Sequence, residues 1–296
     1  MTLIEILKQT QTELIKSVIE FLKGKDYEMI ATDKYVFAKG SIPVMLVAHL
    51  DTVHTTKPVD VYYDKKQQVL WSPEGIGGDD RCGVYAILDI LEKGYRPYIL
   101  FTTDEEKGGL GAKAFTEQYL CSLNQDIKYM IEIDRRGDKQ AVFYRCGNKE
   151  FQDYVIGFGF TKQYGSFSDI SVLSPALDIA SVNLSAGYYN EHTKQEHIKL
   201  AHLLHTVNLV KKMLDDIDNC EFFDYQETTV SYYSSTKNSS NKNYDDFDDY
   251  TEDDYSVYTK SAYWKMWDDW AVLTAEQWKQ KYECEKPLKR QDVWQL

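Results

Sequence analysis

The chain has 296 residues, 43% of them hydrophobic and 27% charged, with a formal net charge of −13. That length leaves room for a real core in one large domain or two smaller ones. The acidic balance excludes a nucleic-acid partner held through its phosphates, which would call for a basic surface.

Residues 2–23 space Leu3, Ile6, Leu7, Leu14, Val18 and Leu22 among Lys, Gln and Glu. This pattern predicts one amphipathic helix and not the unbroken apolar core of a signal peptide. No segment approaches the ~18 apolar residues of a membrane span, so a soluble protein with no membrane partner is expected. Five cysteines (Cys82, Cys121, Cys146, Cys220 and Cys284) show no metal-type pair spacing. In a chain of this length they point to reduced thiols and a cytoplasmic setting.

Short apolar runs come next, at Tyr35–Ala38, Val44–Ala48, Tyr98–Thr102, Tyr129–Ile133 and Ile179–Leu184. Their length and their β-branched and aromatic content favour buried strands. Between them, Val84, Ile87, Leu88 and Leu91 keep helical spacing, closed by Gly94 and Pro97. A second helix is predicted from about Lys194 to Asp216, opened by a capping box at Thr193-x-x-Glu196. Strands alternating with helices imply an α/β domain with a largely parallel sheet flanked by helices. A hairpin over Val61–Trp71 would make that sheet mixed.

Composition shifts near the end. The expected folded domain spans 1–224, and 225–296 is read as an acidic Tyr/Asp-rich linker followed by a Trp-rich tail. From Glu227 to Tyr258 there are eight acidic residues and two lysines. Trp264, Trp267, Trp270 and Trp278 then fall close together beside a second capping box, Thr274-x-x-Gln277. Such a tail suits a solvated linker or a basic protein partner.

Three strand candidates run into residues able to ligate metal. Val44–Ala48 leads to His49-Leu-Asp51, Ile99–Thr103 to Asp104-Glu105-Glu106, and Met130–Ile133 to Asp134. Ligands of open α/β sheets gather beyond the carboxyl ends of strands, so these three groups would meet in one crevice. The loop Gly75-Ile-Gly-Gly-Asp79-Asp80-Arg-Cys-Gly83 enters the helix that begins near Arg81. Taken alone, either Asp is an acidic N-cap; beside the other carboxylates, a metal reading gains weight. Glu191-His192 stands where a last imidazole could descend on the crevice, while His197, His202 and His205 read as packing or surface residues of a helix. His54 is close enough to reach a substrate but has no motif of its own. Gly165-Ser-Phe-Ser-Asp169 is not a nucleophile elbow.

In that order, VAHLDTV, GGDDRCGV, TTDEEKGGLGA, EID and NEHT resemble the co-catalytic metallopeptidases. That superfamily includes the peptidase T-like tripeptidases, leucyl aminopeptidases and glutamate carboxypeptidases. The match covers roughly residues 30–215. The resemblance implies the zinc-exopeptidase fold and two divalent metal ions, zinc or else manganese or cobalt. Their ligands would be His49, Asp79, Glu106, Asp134 and His192, with Asp79 bridging both ions and joined to Asp80 by a cis peptide. Asp51 would orient the imidazole of His49, Glu105 would be the catalytic base, and the Gln163–Ser171 loop would line the substrate pocket. A donor set of His, Asp and Glu without thiolates agrees with a catalytic centre.

Only 58 residues separate Asp134 from His192. That interval leaves no room for an inserted lid or dimerisation domain, which points to a compact single-domain enzyme. In the superfamily, Asp at the position of Asp134 accompanies aminopeptidases, so an aminopeptidase acting on peptides is expected. An N-acyl amino acid deacylase or carboxypeptidase of the same chemistry, and a non-catalytic binding protein using the tail, stand as alternatives.

Overall fold

The structure, a computed structural model, describes residues 1–120 and 122–228; the tail readings beyond Thr228, its tryptophans included, lie outside the described residues. The N-terminal segment forms two helices, α1 (Leu3–Leu7) and α2 (Gln11–Gly24), and not the single expected one. Two capping boxes divide them: the hydroxyls of Thr2 and Thr10 take the amides of Glu5 and Glu13, whose carboxylates reach back to the cap amides. Apolar spacing alone could not show that break.

The elements continue as β1 (Glu28–Ala31), β2 (Tyr35–Lys39), β3 (Ile42–His49), β4 (Tyr62–Asp64), β5 (Val69–Trp71), α3 (Gly78–Glu92) and β6 (Pro97–Thr102). Then come α4 (Leu110–Tyr119), β7 (Tyr129–Arg135), β8 (Gln140–Val142), α5 (Lys149–Gly157), β9 (Thr161–Gln163) and α6 (Ile170–Leu177). The last are β10 (Ser181–Ser185), β11 (Tyr188–Tyr189), β12 (His197–Lys199) and α7 (Leu200–Asp215).

Eight strands form the main sheet in the order β1-β2-β6-β3-β7-β10-β8-β9. Its centre, β6-β3-β7-β10, is parallel, while β2 on β6 and β8 on β10 are antiparallel. The central strands are apolar on both faces because both faces are covered. Leu46, Ile99 and Ile131 pack with residues of α1, α2, α3, α5 and α7, whereas Met45, Leu100 and Met130 pack with α4 and α6. Helix α3 lies so close to β7 that a Cβ on Gly83 would sit 2.2 Å from the Ile133 carbonyl oxygen, so only glycine fits there.

The hairpin β4–β5 does not extend this sheet. It belongs to a separate antiparallel sheet, β11-β12-β5-β4. Its partner β12 occupies the residues expected to open the last helix, so that helix begins at Leu200 and Thr193–Glu196 caps nothing in it. His197 is accordingly a strand residue. Between Asp134 and His192 the chain holds three short strands, β10 and two helices, with no inserted lid domain among them. At the far end, residues 223–228 pack on the domain: Phe223 joins Lys128 and Ala180 through its backbone, Tyr225 is buried, and the Thr228 amide donates to the Arg145 carbonyl at 2.8 Å.

Candidate active site

Parallel pairing brings the carboxyl ends of β3, β6 and β7 to one edge, with His49 opposite Thr102 and Val47 opposite Glu132. His49 closes β3 and is buried. Its Nδ1 faces Asp51 Oδ1 at 3.2 Å, and its Nε2 lies 3.1 Å from Asp79 Oδ1 and 3.6 Å from Asp134 Oδ1. On the other side, His192 Nε2 lies 3.2 Å from Asp79 Oδ2 and 3.1 Å from Glu106 Oε1. Two clusters result, His49–Asp79–Asp134 and Glu106–Asp79–His192, and the two oxygens of Asp79 belong one to each.

The turn after β6 aims the paired glutamates. Asp104 takes a left-handed backbone (φ 55°), and Glu105–Lys107 form a 3₁₀ turn, so the two side chains are no longer opposed as they would be in a strand. Asp51 fixes the turn: Oδ1 accepts the Glu105 amide and Oδ2 the Glu106 amide, each at 3.1 Å. The Asp51 carboxylate therefore holds the His49 ring and both glutamates together. Glu105 has an oxygen within 4.8 Å of donor atoms of His49 and Glu106, yet stands outside the two clusters that share Asp79.

Asp79 and Asp80 are joined by a cis peptide. Their dihedral angles are not helical, and α3 is regular only from Arg81, in keeping with the sequence reading. Asp80 turns inward, where its oxygens accept the amides of His49 at 3.3 Å and Gly83 at 2.9 Å. His192 also has a left-handed backbone, φ 63°. Such conformations cost roughly 1–3 kcal/mol for a non-glycine residue and concentrate at functional sites.

The electrostatics come from crowding. Burial, reinforced by the charge of Asp79, pushes the Asp134 carboxyl up to about 7. Burial, with Asp169 and Asp134 nearby, raises Glu105 well above the usual carboxylate range. Burial opposes ionisation of Asp79, but hydrogen bonds from His192 and His49 outweigh it and hold this carboxyl low. Those to Asp79 and Glu106 push His192 up to about 11. For His49, burial is outweighed by Asp51 and Asp134, and its imidazole is raised as well. Glu106 Oε1 is buried without a hydrogen bond, although a ring nitrogen lies 3.1 Å away. Carboxylates that raise one another's proton affinity, with imidazoles turned toward them and an unsatisfied oxygen at Glu106, fit divalent-cation binding.

Several residues of the site escaped the sequence reading. Glu132 is fully buried on β7, where it accepts from the Ser168 hydroxyl; it is the one charge inside the apolar run Tyr129–Ile133, and that was its signal. Asn183 brackets Asp134, accepting its amide at 2.9 Å and donating to its carbonyl at 3.2 Å. Tyr188 donates to Asp134 Oδ1 at 3.1 Å. Neither has a local signature. Glu196 passed for a helix cap. In the Gln163–Ser171 loop, Gly165, Ser166 and Phe167 line a cavity of about 440 Å³, and Asp169 accepts from the Thr102 hydroxyl.

The sequence model of peptidase family M28 matches residues 30–158. It spans His49, Asp79, Glu105, Glu106 and Asp134 in their observed order. Over residues 30–158 the chain resembles this peptidase family, and its fold agrees with that of the co-catalytic exopeptidases. The match supports a peptide-bond hydrolase. Among solved structures the fold is similar to a tripeptidase from Staphylococcus aureus, at 14% identity and a TM-score of 0.61 over 74% of this chain and 97% of that one. It is also similar to the aminopeptidase PepT from Bacillus cereus, at 16% identity and TM-score 0.58 over 73% and 97%. The Pyrococcus horikoshii TET1 peptidase aligns at 15% identity and TM-score 0.52 over 72% and 99%. No curated protein sequence gives a significant match. Among the described residues, no helix is long and apolar enough to cross a membrane.

Proposed function

We propose that the enzyme is an aminopeptidase that binds two divalent metal ions, one in each cluster, with Asp79 shared between them. The observation that carries this reading is the placement of the two Asp79 oxygens, each within 3.2 Å of a different imidazole. His49 and Asp134 would hold one ion, Glu106 and His192 the other. The donor set suits zinc, manganese or cobalt. When bound, the ions supply an acidified water and a positive charge against the scissile carbonyl.

The chain's own residues do the rest. Asp51 keeps the Nε2 edge of His49 turned toward Asp79 and Asp134. Tyr188 and Asn183 fix Asp134 from behind. Glu105, held through its amide but with its carboxylate uncommitted to either cluster, takes the proton of the attacking water and delivers it to the departing amine. Its burial keeps water from levelling its basicity.

An acid-lined site favours the peptide end that carries a free ammonium over the end that carries a carboxylate. Arg135 and Arg136, the cations nearest Asp134 in sequence, are engaged by Gln140, the Tyr164 carbonyl and Glu191. The fold similarity to aminopeptidases and a tripeptidase supports the same polarity. Buried free thiols at Cys82, Cys146 and Cys220 fit a reducing compartment such as the cytoplasm. A panel of free-amine peptides, their N-acetyl forms and N-acyl amino acids tests the reading. Cleavage of the first set alone, removed by chelation and restored by metal, is the expected outcome; turnover of acylated substrates at a comparable rate would make the enzyme a deacylase.

A further inference from the structure

Glu196 has no part in the proposed chemistry, yet its carboxylate is 1% exposed and fully engaged. Oε1 accepts the Asp79 amide at 3.0 Å, and Oε2 accepts the Gly77 amide at 3.0 Å. His54 Nε2 lies 2.7 Å from the same Oε2. The ordinary assignment for an acid four residues before a helix is a cap, but no α7 amide reaches it: all three contacts go to the Gly75–Asp79 loop and its neighbour His54.

That loop is shaped around the pair. Gly75 has φ +94°, and a Cβ there would lie 2.3 Å from His54 Cε1, so the backbone closes directly on the imidazole. At Gly78 a Cβ would come within 2.9 Å of Ile198 and 3.3 Å of Glu196 Oε1. Two amides leading into Asp79 thus end on one carboxylate, and the imidazole meets the oxygen that takes the Gly77 amide. Glu196 also lies four residues after His192, so a single short segment presents a ring nitrogen to Asp79 Oδ2 and grips the Asp79 backbone.

We propose that Glu196, held by His54, is a positioning residue that sets the Asp79 carboxylate across the two clusters. The inference rests on the reading that Asp79 is shared by two metal ions. Partners behind metal ligands typically carry about 10–100-fold in metal affinity or activity. A glutamine at 196 keeps the shape but can accept at only one of its two terminal atoms, so one loop amide loses its partner. At position 54, glutamine can present an N–H near the place of Nε2, whereas leucine fills the space without a donor.

The test measures divalent-metal affinity by chelator competition, together with kcat, KM and the melting temperature of the metal-free protein, on the full chain. Glu196→Gln should weaken metal binding about 10–100-fold and lower kcat, with KM within about twofold and the metal-free melting temperature lowered by no more than about 10 °C, the cost of one unpaired buried amide. His54→Leu should weaken binding by about tenfold, and His54→Gln should restore most of it. Wild-type affinity in Glu196→Gln, or equal losses in the two His54 variants, overturns the proposal. So does a loss of affinity that only accompanies a collapse of metal-free stability. Should Glu196→Gln fail to fold, the His54 pair decides alone. If the wild-type chain itself binds no divalent metal, the two-ion reading fails, and that outcome is distinct from a clamp that proves dispensable in a metal-binding wild type.

Discussion

One side of the site rests on the central strands and the other on loops. His49 sits at the end of a strand buried on both faces, with its ring enclosed by Asp51, Asp79 and Asp134. His192, its counterpart, has a side chain 43% exposed and stands between β11 and β12 of the small sheet. That sheet leaves Tyr62 and Trp71 stacked but half open to solvent, ring centroids 4.8 Å apart. One cluster is enclosed by the central strands, and the other opens toward solvent at His192. Asp79 joins the two, which is why its loop needs a hold of its own.

The largest expected effect lies at Glu105, between the two sides. Glu105→Gln keeps shape and removes the basic carboxylate, so turnover should fall by about 10²–10⁴ while metal content stays near wild type. Retained turnover, or metal lost as readily as in Glu106→Gln, would mean the two glutamates have their roles exchanged. Packing gives the next contrast. Leu46→Ala, in the strand that carries His49, should cost about 2–5 kcal/mol in denaturant unfolding. Tyr62→Ala, in the exposed hairpin, should cost under ~1 kcal/mol, and a comparable loss at both positions would erase the distinction between the sides.

Metal uptake should release protons. In the metal-free site Asp134 is held up to about 7, mainly by burial and then by Asp79, and both imidazoles are raised by their carboxylate neighbours. These protons must leave when a cation enters, so affinity should rise with pH and fall steeply below about 7. Calorimetry in buffers of different ionisation heat should show net proton release; proton-neutral binding would mean that the crowding is relieved in another way. The smallest effect is expected at the end of the chain. Thr228 pairs with Arg145 and Tyr225 is buried, so a chain ended after Thr228 is expected to keep its fold and its metal, with a melting temperature within a few degrees of full length. An insoluble product would assign the remaining segment to the domain.

The same division decided how much the sequence made legible. Val44–Ala48, unbroken, and Tyr129–Ile133, interrupted only by Glu132, announce buried strands through their apolar runs, and the residues at their carboxyl ends, His49 and Asp134, inherit their place from parallel pairing. Loop-borne parts carry no such period. Thr193-x-x-Glu196 matches a capping box in letters, but β12 pairs with β5, a partner far away in sequence, and that pairing claims the residues a helix would have used. Asn183 reaches Asp134 because β10 lies beside β7, and Tyr188 reaches it from β11, just past the end of β10. Local pattern holds no trace of such contacts. At the N-terminus the break between α1 and α2 is legible in the residues, as two Thr-x-x-Glu boxes at Thr2 and Thr10.

The central claim is that Asp79 serves two ions at once, and metal stoichiometry at saturation tests it most directly. Inductively coupled plasma analysis of the wild-type chain, alongside Asp134→Asn, His192→Gln and Asp79→Asn, should return two ions for the wild type and one for each of the first two variants. For Asp79→Asn it should return fewer than for either. A single ion in the wild type, or two ions kept by Asp79→Asn, would contradict the account.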